Sequence, residues 1–495
     1  MGTRVLGLVG PCEALDDPEP LWRAGPVLIE AIGLDYSHLR MLSVREVLVT
    51  DHRERSTGRL MTLVHDRRAH RTPGRHTHWR LARRRHLLLR GGTAAAMLAV
   101  VGPGLLAGLS DDDPAGITTY SILGAEYGYE LLWVLALSTA ALIVFHELGV
   151  RLGIVTGKGL LTLVRERYGQ RVAGVVAAAL VVANTGTLCA EFAGVAAGMQ
   201  LLGGVSRYLS VPLAAIGVSV LVLRENFRHV EHFLLALSSV FIAYIVAGFL
   251  AHPDWGATAK GLAVPSIPLT RDAVLVAVAT VGTTLAPWGL AFIQSYAVDK
   301  ELHVKDLRFE RIDVVVGAVL TGVIGLFVVV ACAATLHPAG VEIDGAGDAA
   351  KALEPLAGNL AESLFGLGFL GAALLAAAIV PLSTAYSISE TRGRRADLDD
   401  SFTEARGFYL SFGAVVLVAA AIVLIPSAPL IELLFLTQAL NAVLLLVILP
   451  FIRSLAKDGE LMGEHALGRG GRWITGIAFT LIAISVLALG ILAIA

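Results

Sequence analysis

Leu-Leu-Ala-Gly-Leu-Ser at residues 105–110 runs into Asp111-Asp112-Asp113-Pro114-Ala115-Gly116, and Val278–Leu285 runs into Ala286-Pro287-Trp288-Gly289. Both are apolar stretches interrupted in mid-course. Proline lacks a backbone N–H and clashes with the preceding turn, and glycine favours unwinding. Each stretch is therefore expected to be a helix that stops and restarts. Loose backbone in hydrocarbon is tolerated only where protein buries it or where it lines a polar cavity. The breaks open the first and sixth apolar segments of the chain, five segments apart, as a five-plus-five inverted repeat requires. Paired broken helices in corresponding halves point to the binding site of a secondary transporter. A lone proline would signify only a kink; two in register, one carrying acid, signify more.

The composition agrees. Of 495 residues, 55% are hydrophobic and only 16% charged, with a mean hydropathy of +0.71. Soluble chains carry about 25% charged residues, so an ordinary soluble enzyme is excluded. Eleven apolar segments follow the N-terminal tail, at roughly 92–125, 130–150, 172–202, 209–224, 230–251, 272–298, 312–336, 364–390, 407–426, 430–452 and 473–494, most of them beyond the ~18 residues of a bilayer span. Three cysteines, Cys12, Cys189 and Cys332, form no disulfide framework and no zinc spacing. With the N-terminus placed inside, the cytoplasmic loops hold 19 Lys and Arg and the outer loops only Arg207, Lys260, Arg271 and Lys351. This positive-inside asymmetry supports eleven spans, since adding or deleting one would scramble it.

The first 91 residues differ in kind. They contain 16 Arg, no Lys and 7 of the 14 His, which reads as a basic, partly disordered cytoplasmic tail, or as a region preceding a native start at Met41 or Met61. A sensing role for His65, His70, His76 and His78 has no ligand spacing behind it. Residues 92–495 are expected to form the membrane domain, with repeats at about 92–251 and 272–452 and an extra helix at about 473–494.

Gly102-Pro103-Gly104, Asp113-Pro114-Ala115-Gly116 and Arg151-Leu152-Gly153-Ile154-Val155-Thr156-Gly157 together resemble the Nramp divalent-metal transporters. The resemblance runs from about residue 92 to the C-terminus. It implies a LeuT-like all-α fold with helices 1 and 6 broken, and a metal site between the breaks. The family pattern has Asn where this chain has Gly116, Met at Ala286 and His at Trp288. In these departures the chain is similar to the Nramp-related magnesium transporters, a branch without the metal-binding methionine.

Ligand chemistry points the same way. A thioether is soft and favours transition metals, whereas Mg²⁺ takes hard oxygen and gives up water reluctantly. With the Met and Asn ligands gone, there remain the Asp113 carboxylate, the carbonyls freed at the breaks and extra volume. The resemblance places the carbonyl of Thr283 among the ligands. The metal site is thus expected at Asp113, Gly116, Thr283 and Ala286. Asp113 also reads as a helix cap. Asp111 and Asp112 cap a half-helix, attract cations electrostatically or touch the metal, and Trp288 either lines the cavity or fills it. Gln438 and Asn441, one turn apart, face the cavity or bond between helices.

Glu191 aligns with a family glutamate. The family's proton-route aspartate corresponds to Leu188, and its sixth-span histidine is absent. Glu191 is then either a proton carrier or a structural acid paired to an Asn such as Asn184. Other motifs are negative: His146-Glu147 lacks the second His of a zincin, there is no phosphate-binding loop, and the basic residues are not interleaved with aromatics as nucleic-acid binding requires. The expected protein is a multi-pass plasma-membrane importer of Mg²⁺, and of Mn²⁺ as a further substrate, without enzyme activity, cofactor or obligatory proton coupling. The alternative is a proton-coupled Mn²⁺/Fe²⁺ symporter.

Overall fold

A computed structural model of the chain describes residues 103–223, 239–394 and 402–494. The tail, with its four histidines and alternative starts, lies outside the described residues, as do the loop residues Arg224, Arg228 and Arg395. In chain order the helices begin with α1 (Pro103–Asp111), α2 (Pro114–Tyr127), α3 (Leu132–Thr156) and α4 (Leu160–Tyr168). They continue with α5 (Gln170–Gly203), α6 (Arg207–Leu223), α7 (Ala243–Leu250) and α8 (Trp255–Ala263). Then come α9 (Arg271–Thr284), α10 (Pro287–Asp299), α11 (Leu307–Thr335) and α12 (Ala361–Thr391). The last three are α13 (Arg406–Val423), α14 (Leu430–Lys457) and α15 (Arg469–Ile494). Among the described residues there is no strand.

Where their residues are described, the eleven expected segments coincide largely with helix. Eight helices among the described residues are long and apolar enough to cross a membrane, or nine if a bent pair is counted as one span. The shortfall from eleven has physical reasons: the first segment is split into α1 and α2, α6 has 17 residues, and the fifth segment is described only from residue 239. The fifth segment, expected to end at 251, ends with α7 at Leu250, and the sequence reading did not foresee the helix that follows it. There the chain turns by 118° into α8. Asp254 starts that helix by accepting the N–H groups of Gly256 and Ala257 at 2.8 and 2.9 Å, a side-chain cap. The Trp133 indole N–H donates to the Ser266 carbonyl at 2.8 Å and holds the following loop against α3.

Small residues let the helix backbones meet, as is usual where lipid supplies no hydrophobic drive between helices. A Cβ on Gly104 would fall 2.5 Å from Cα of Val314, and one on Gly108 would fall 2.7 Å from the carbonyl carbon of Gly317. Helix α1 therefore lies directly on the backbone of α11. Two polar contacts fix its register: the Gly104 N–H donates to Asp313 at 2.7 Å, and the Thr321 hydroxyl donates to the Gly108 carbonyl. Gly149 and Gly153 play the same part where α3 packs on α10, with a Cβ on Gly153 falling 2.6 Å from the Gln294 carbonyl. The outermost helix, α15, turns Ile477, Leu481, Ile484, Leu487 and Ile491 outward, a helical stripe suited to lipid.

Candidate functional site

Helix α9 ends at Thr284 and α10 begins at Pro287. The N–H that would close over the Thr283 carbonyl belongs, four residues on, to Pro287, which has none. Pro114 stands in the same relation to Ser110. Each break thus deprives one carbonyl of its usual helical partner deep in the protein.

Asp113 sits in extended backbone at the head of α2, with φ −83° and ψ 171°. Its Oδ1 accepts the Gly116 N–H at 2.6 Å and its carbonyl accepts the Ile117 N–H at 2.9 Å. The capping role is therefore present in the geometry. A carboxylate spent on a cap still has lone pairs to offer. The point where a Cβ on Gly116 would lie is 2.8 Å from the Asp111 carbonyl oxygen, 3.3 Å from Asp113 Oδ1 and 3.3 Å from Thr283 Oγ1. Three hard oxygens from α1, α2 and α9 converge there. A side chain at residue 116 would have to push them apart, so glycine is a condition of the arrangement. The Thr283 hydroxyl is buried without a hydrogen-bond partner among the described residues. Sequence reasoning assigned Thr283 through its carbonyl alone and missed the hydroxyl.

Glu191, fully buried on α5, is a near neighbour of Asp113, and its two carboxylate oxygens have no hydrogen-bond partner among the described residues. Two neighbouring buried carboxyls do not both carry charge without a cation nearby. The expected pairing with Asn184 is not formed: Asn184 donates instead to the Thr384 hydroxyl at 2.9 Å. Asp111 and Asp112 are 1% and 2% exposed, and their carboxylate oxygens have no hydrogen-bond partner among the described residues. Asp112 faces Thr321, whose hydroxyl proton is committed to Gly108, while Asp111 faces Gly289.

Ala286 brings no donor to the site. Its carbonyl accepts the Gly289 N–H at 3.1 Å and its methyl lies in an apolar cluster with Leu188, Trp288 and Phe292. Trp288 is fully buried there, its carbonyl accepting the Ser383 hydroxyl at 2.9 Å. Its indole N–H is buried without a hydrogen-bond partner among the described residues. Leu188 and Trp288, which stand where the family resemblance expects titratable groups, thus belong to one buried apolar cluster. Gln438 and Asn441 are buried, and Asn441 donates to Thr187 of α5 at 3.1 Å and to Gln438 at 3.0 Å. This is the helix-to-helix bond. Among the described residues no three His, Cys, Asp or Glu side chains are grouped to hold a metal, so an ion at the breaks would use backbone and hydroxyl oxygen and keep water.

Two further groups were not foreseen. Glu390, near the end of α12, accepts the Ser295 hydroxyl of α10 at 2.6 Å and the Leu161 N–H of α4 at 3.0 Å. His146 of α3 is 1% exposed and faces Gly289.

The model of the family described as natural resistance-associated macrophage protein-like (Nramp) matches residues 104–492. Divalent metal cation transporter MntH of Pectobacterium carotovorum is 32% identical over 283 residues, 56% of this chain and 68% of that protein. MntH of Bacillus subtilis is 32% identical over 298 residues, 58% of this chain and 69% of its own. The crystal structure of the Eremococcus coleocola manganese transporter, in complex with an aromatic bis-isothiourea compound, superposes with a TM-score of 0.66 at 19% identity, covering 84% of this chain and 87% of the other. That of MhsT with L-phenylalanine gives 0.51 at 16% identity, covering 78% and 98%.

Proposed function

The chain belongs to the Nramp family, and from that premise we propose that it is a divalent-cation importer working by alternating access, with Mg²⁺ as its main substrate and Mn²⁺ as a second. The observation that carries the metal preference is the convergence of the Asp111 carbonyl, the Asp113 carboxylate and the Thr283 hydroxyl on one point beside Gly116. All three are hard donors, and no sulfur accompanies them, since Ala286 stands in an apolar wall. An ion that binds oxygen and retains water suits such a site. Residues 1–91 form the cytoplasmic tail, the positive-inside asymmetry sets the orientation, and the two repeats of 92–251 and 272–452 rock against each other around the breaks.

Membrane potential supplies the drive. One charge crossing 100 mV gains about 2.3 kcal/mol, so a divalent ion gains about 4.6 kcal/mol, enough for roughly a thousandfold gradient. The apolar cluster that holds Leu188 and Trp288 in place of titratable groups favours transport without a proton. The proximity of Glu191 to Asp113, with both Glu191 oxygens unpartnered among the described residues, favours the second reading, a proton-coupled Mn²⁺/Fe²⁺ symporter, because a buried acid beside the metal carboxylate could exchange protons with it.

Reconstituted protein decides between them. With the potential clamped and a pH dye inside the vesicles, Mg²⁺ entry without acidification is expected. Acidification that scales with metal entry and disappears in Glu191→Gln would establish coupling and reject the uncoupled mechanism.

A further inference from the structure

His146 belongs to no part of the site just described, yet it is buried with both ring nitrogens lacking hydrogen-bond partners among the described residues. A buried imidazole normally satisfies at least one nitrogen. The Asp111 carboxylate is in the same condition. Both face one notch: a Cβ on Gly289 would lie 3.3 Å from Nε2 of His146 and 3.7 Å from Oδ1 of Asp111. The notch exists because α10 carries no side chain at that residue and because Gly149, one turn beyond His146, brings α3 close to α10. Asp111 therefore serves two places. Its carbonyl points to the oxygens around Gly116, and its carboxylate points to Gly289, on the α10 side of the break.

We propose that Asp111 and His146 form a second cation station in the Gly289 notch, next to the site between the breaks, which takes a divalent transition-metal ion of borderline softness. One carboxylate and one imidazole are the donors that divalent transition metals accept and that Mg²⁺ shuns in favour of oxygen alone. Two protein ligands leave the remaining positions to water. With the tail cytoplasmic, the notch lies inward of the central site, so an ion leaving that site meets it next. Mg²⁺ passes it, whereas Mn²⁺ is held.

The probe is Mn²⁺ bound to the purified full-length chain, counted by continuous-wave EPR and examined by pulsed EPR for coupling to the ¹⁴N of a coordinated imidazole. The wild type should hold one ion with nitrogen coupling and one without. His146→Leu should lose the coupled ion and keep the other. Gly289→Ala, which leaves both donors in place and fills the notch, should do the same, so a folding defect in one variant does not decide the matter. Asp113→Ala should lose the uncoupled ion and keep the coupled one. A single ion in the wild type, or nitrogen coupling that survives His146→Leu, would overturn the station. The inference uses the central-site reading only for its order along the path. If Asp113→Ala keeps both ions while His146→Leu loses the coupled one, the central-site reading fails and the station stands.

Discussion

Asp313 of α11 accepts the backbone N–H of Gly104 at 2.7 Å, and so ties α1 to α11 by a charge-assisted bond. Two residues earlier on α11, Arg311 pairs with Glu147 of α3 at 2.7 Å, and Glu147 also pairs with Arg151 at 2.7 Å. Helix α1 is thus latched to α11 at Asp313, and α11 in turn to α3 at Arg311.

Removing the latch by Asp313→Ala should destabilise the protein by about 1.5–3 kcal/mol, the range for a hydrogen bond to a charged group. Asp313→Asn, which keeps an acceptor, should cost less. Thermal unfolding in detergent measures both; equal, negligible losses would show that the contact contributes nothing to stability.

Asp113 combines a cap and a proposed ligand, and one substitution separates them. Asp113→Asn keeps an oxygen for the Gly116 N–H, and asparagine caps as well as aspartate. Unfolding temperature should stay near the wild-type value while Mg²⁺ uptake is abolished. Uptake near normal would move the charge requirement to another carboxylate.

At residue 116 the family's asparagine should not restore family-like transport. A Cβ there meets the Asp111 carbonyl at 2.8 Å, and overpacking of that kind costs about 1–3 kcal/mol. Gly116→Asn is expected to lower both stability and Mg²⁺ uptake. A stable variant with intact or faster uptake would show that the oxygens around Gly116 open freely.

Ala286→Met should return a soft donor and shift competition toward Mn²⁺ or Cd²⁺ at the expense of Mg²⁺. Because Ala286 packs with Leu188 and Trp288, the longer side chain will also strain that wall, so affinity for all ions should be measured beside the ratio. An unchanged Mg²⁺ preference would show that ligand softness does not set selectivity.

Much of this was legible because proline acts locally. Pro114 and Pro287 remove donors at fixed offsets, so the breaks and the placement of Asp113 and Thr283 beside them follow from chain order alone. What escaped depends on helices meeting in space. The free hydroxyl of Thr283, the notch at Gly289 that His146 faces, and the double bond of Glu390 to α10 and α4 each join distant stretches of chain. The partner of Asn184 was misread for the same reason: Glu191 lies two turns along the same helix, while Thr384 approaches from α12. The turn into α8 was missed because its segment is short and only partly apolar.

The missing N–H of Pro287 bears on how the transporter must move. In a helix interrupted by glycine alone, the gap can close by rewinding, and the exposed carbonyl would disappear in one phase of the cycle. Here α-helical rewinding cannot supply a donor to Thr283, because the fourth residue on is Pro287; only a tighter 3₁₀ turn, through the Ala286 N–H, could. If the cycle runs by the alternating access proposed above, the simplest consequence is that the carbonyl would remain open to an ion throughout, and access would be regulated by the surrounding helices shifting as bodies rather than by the break itself.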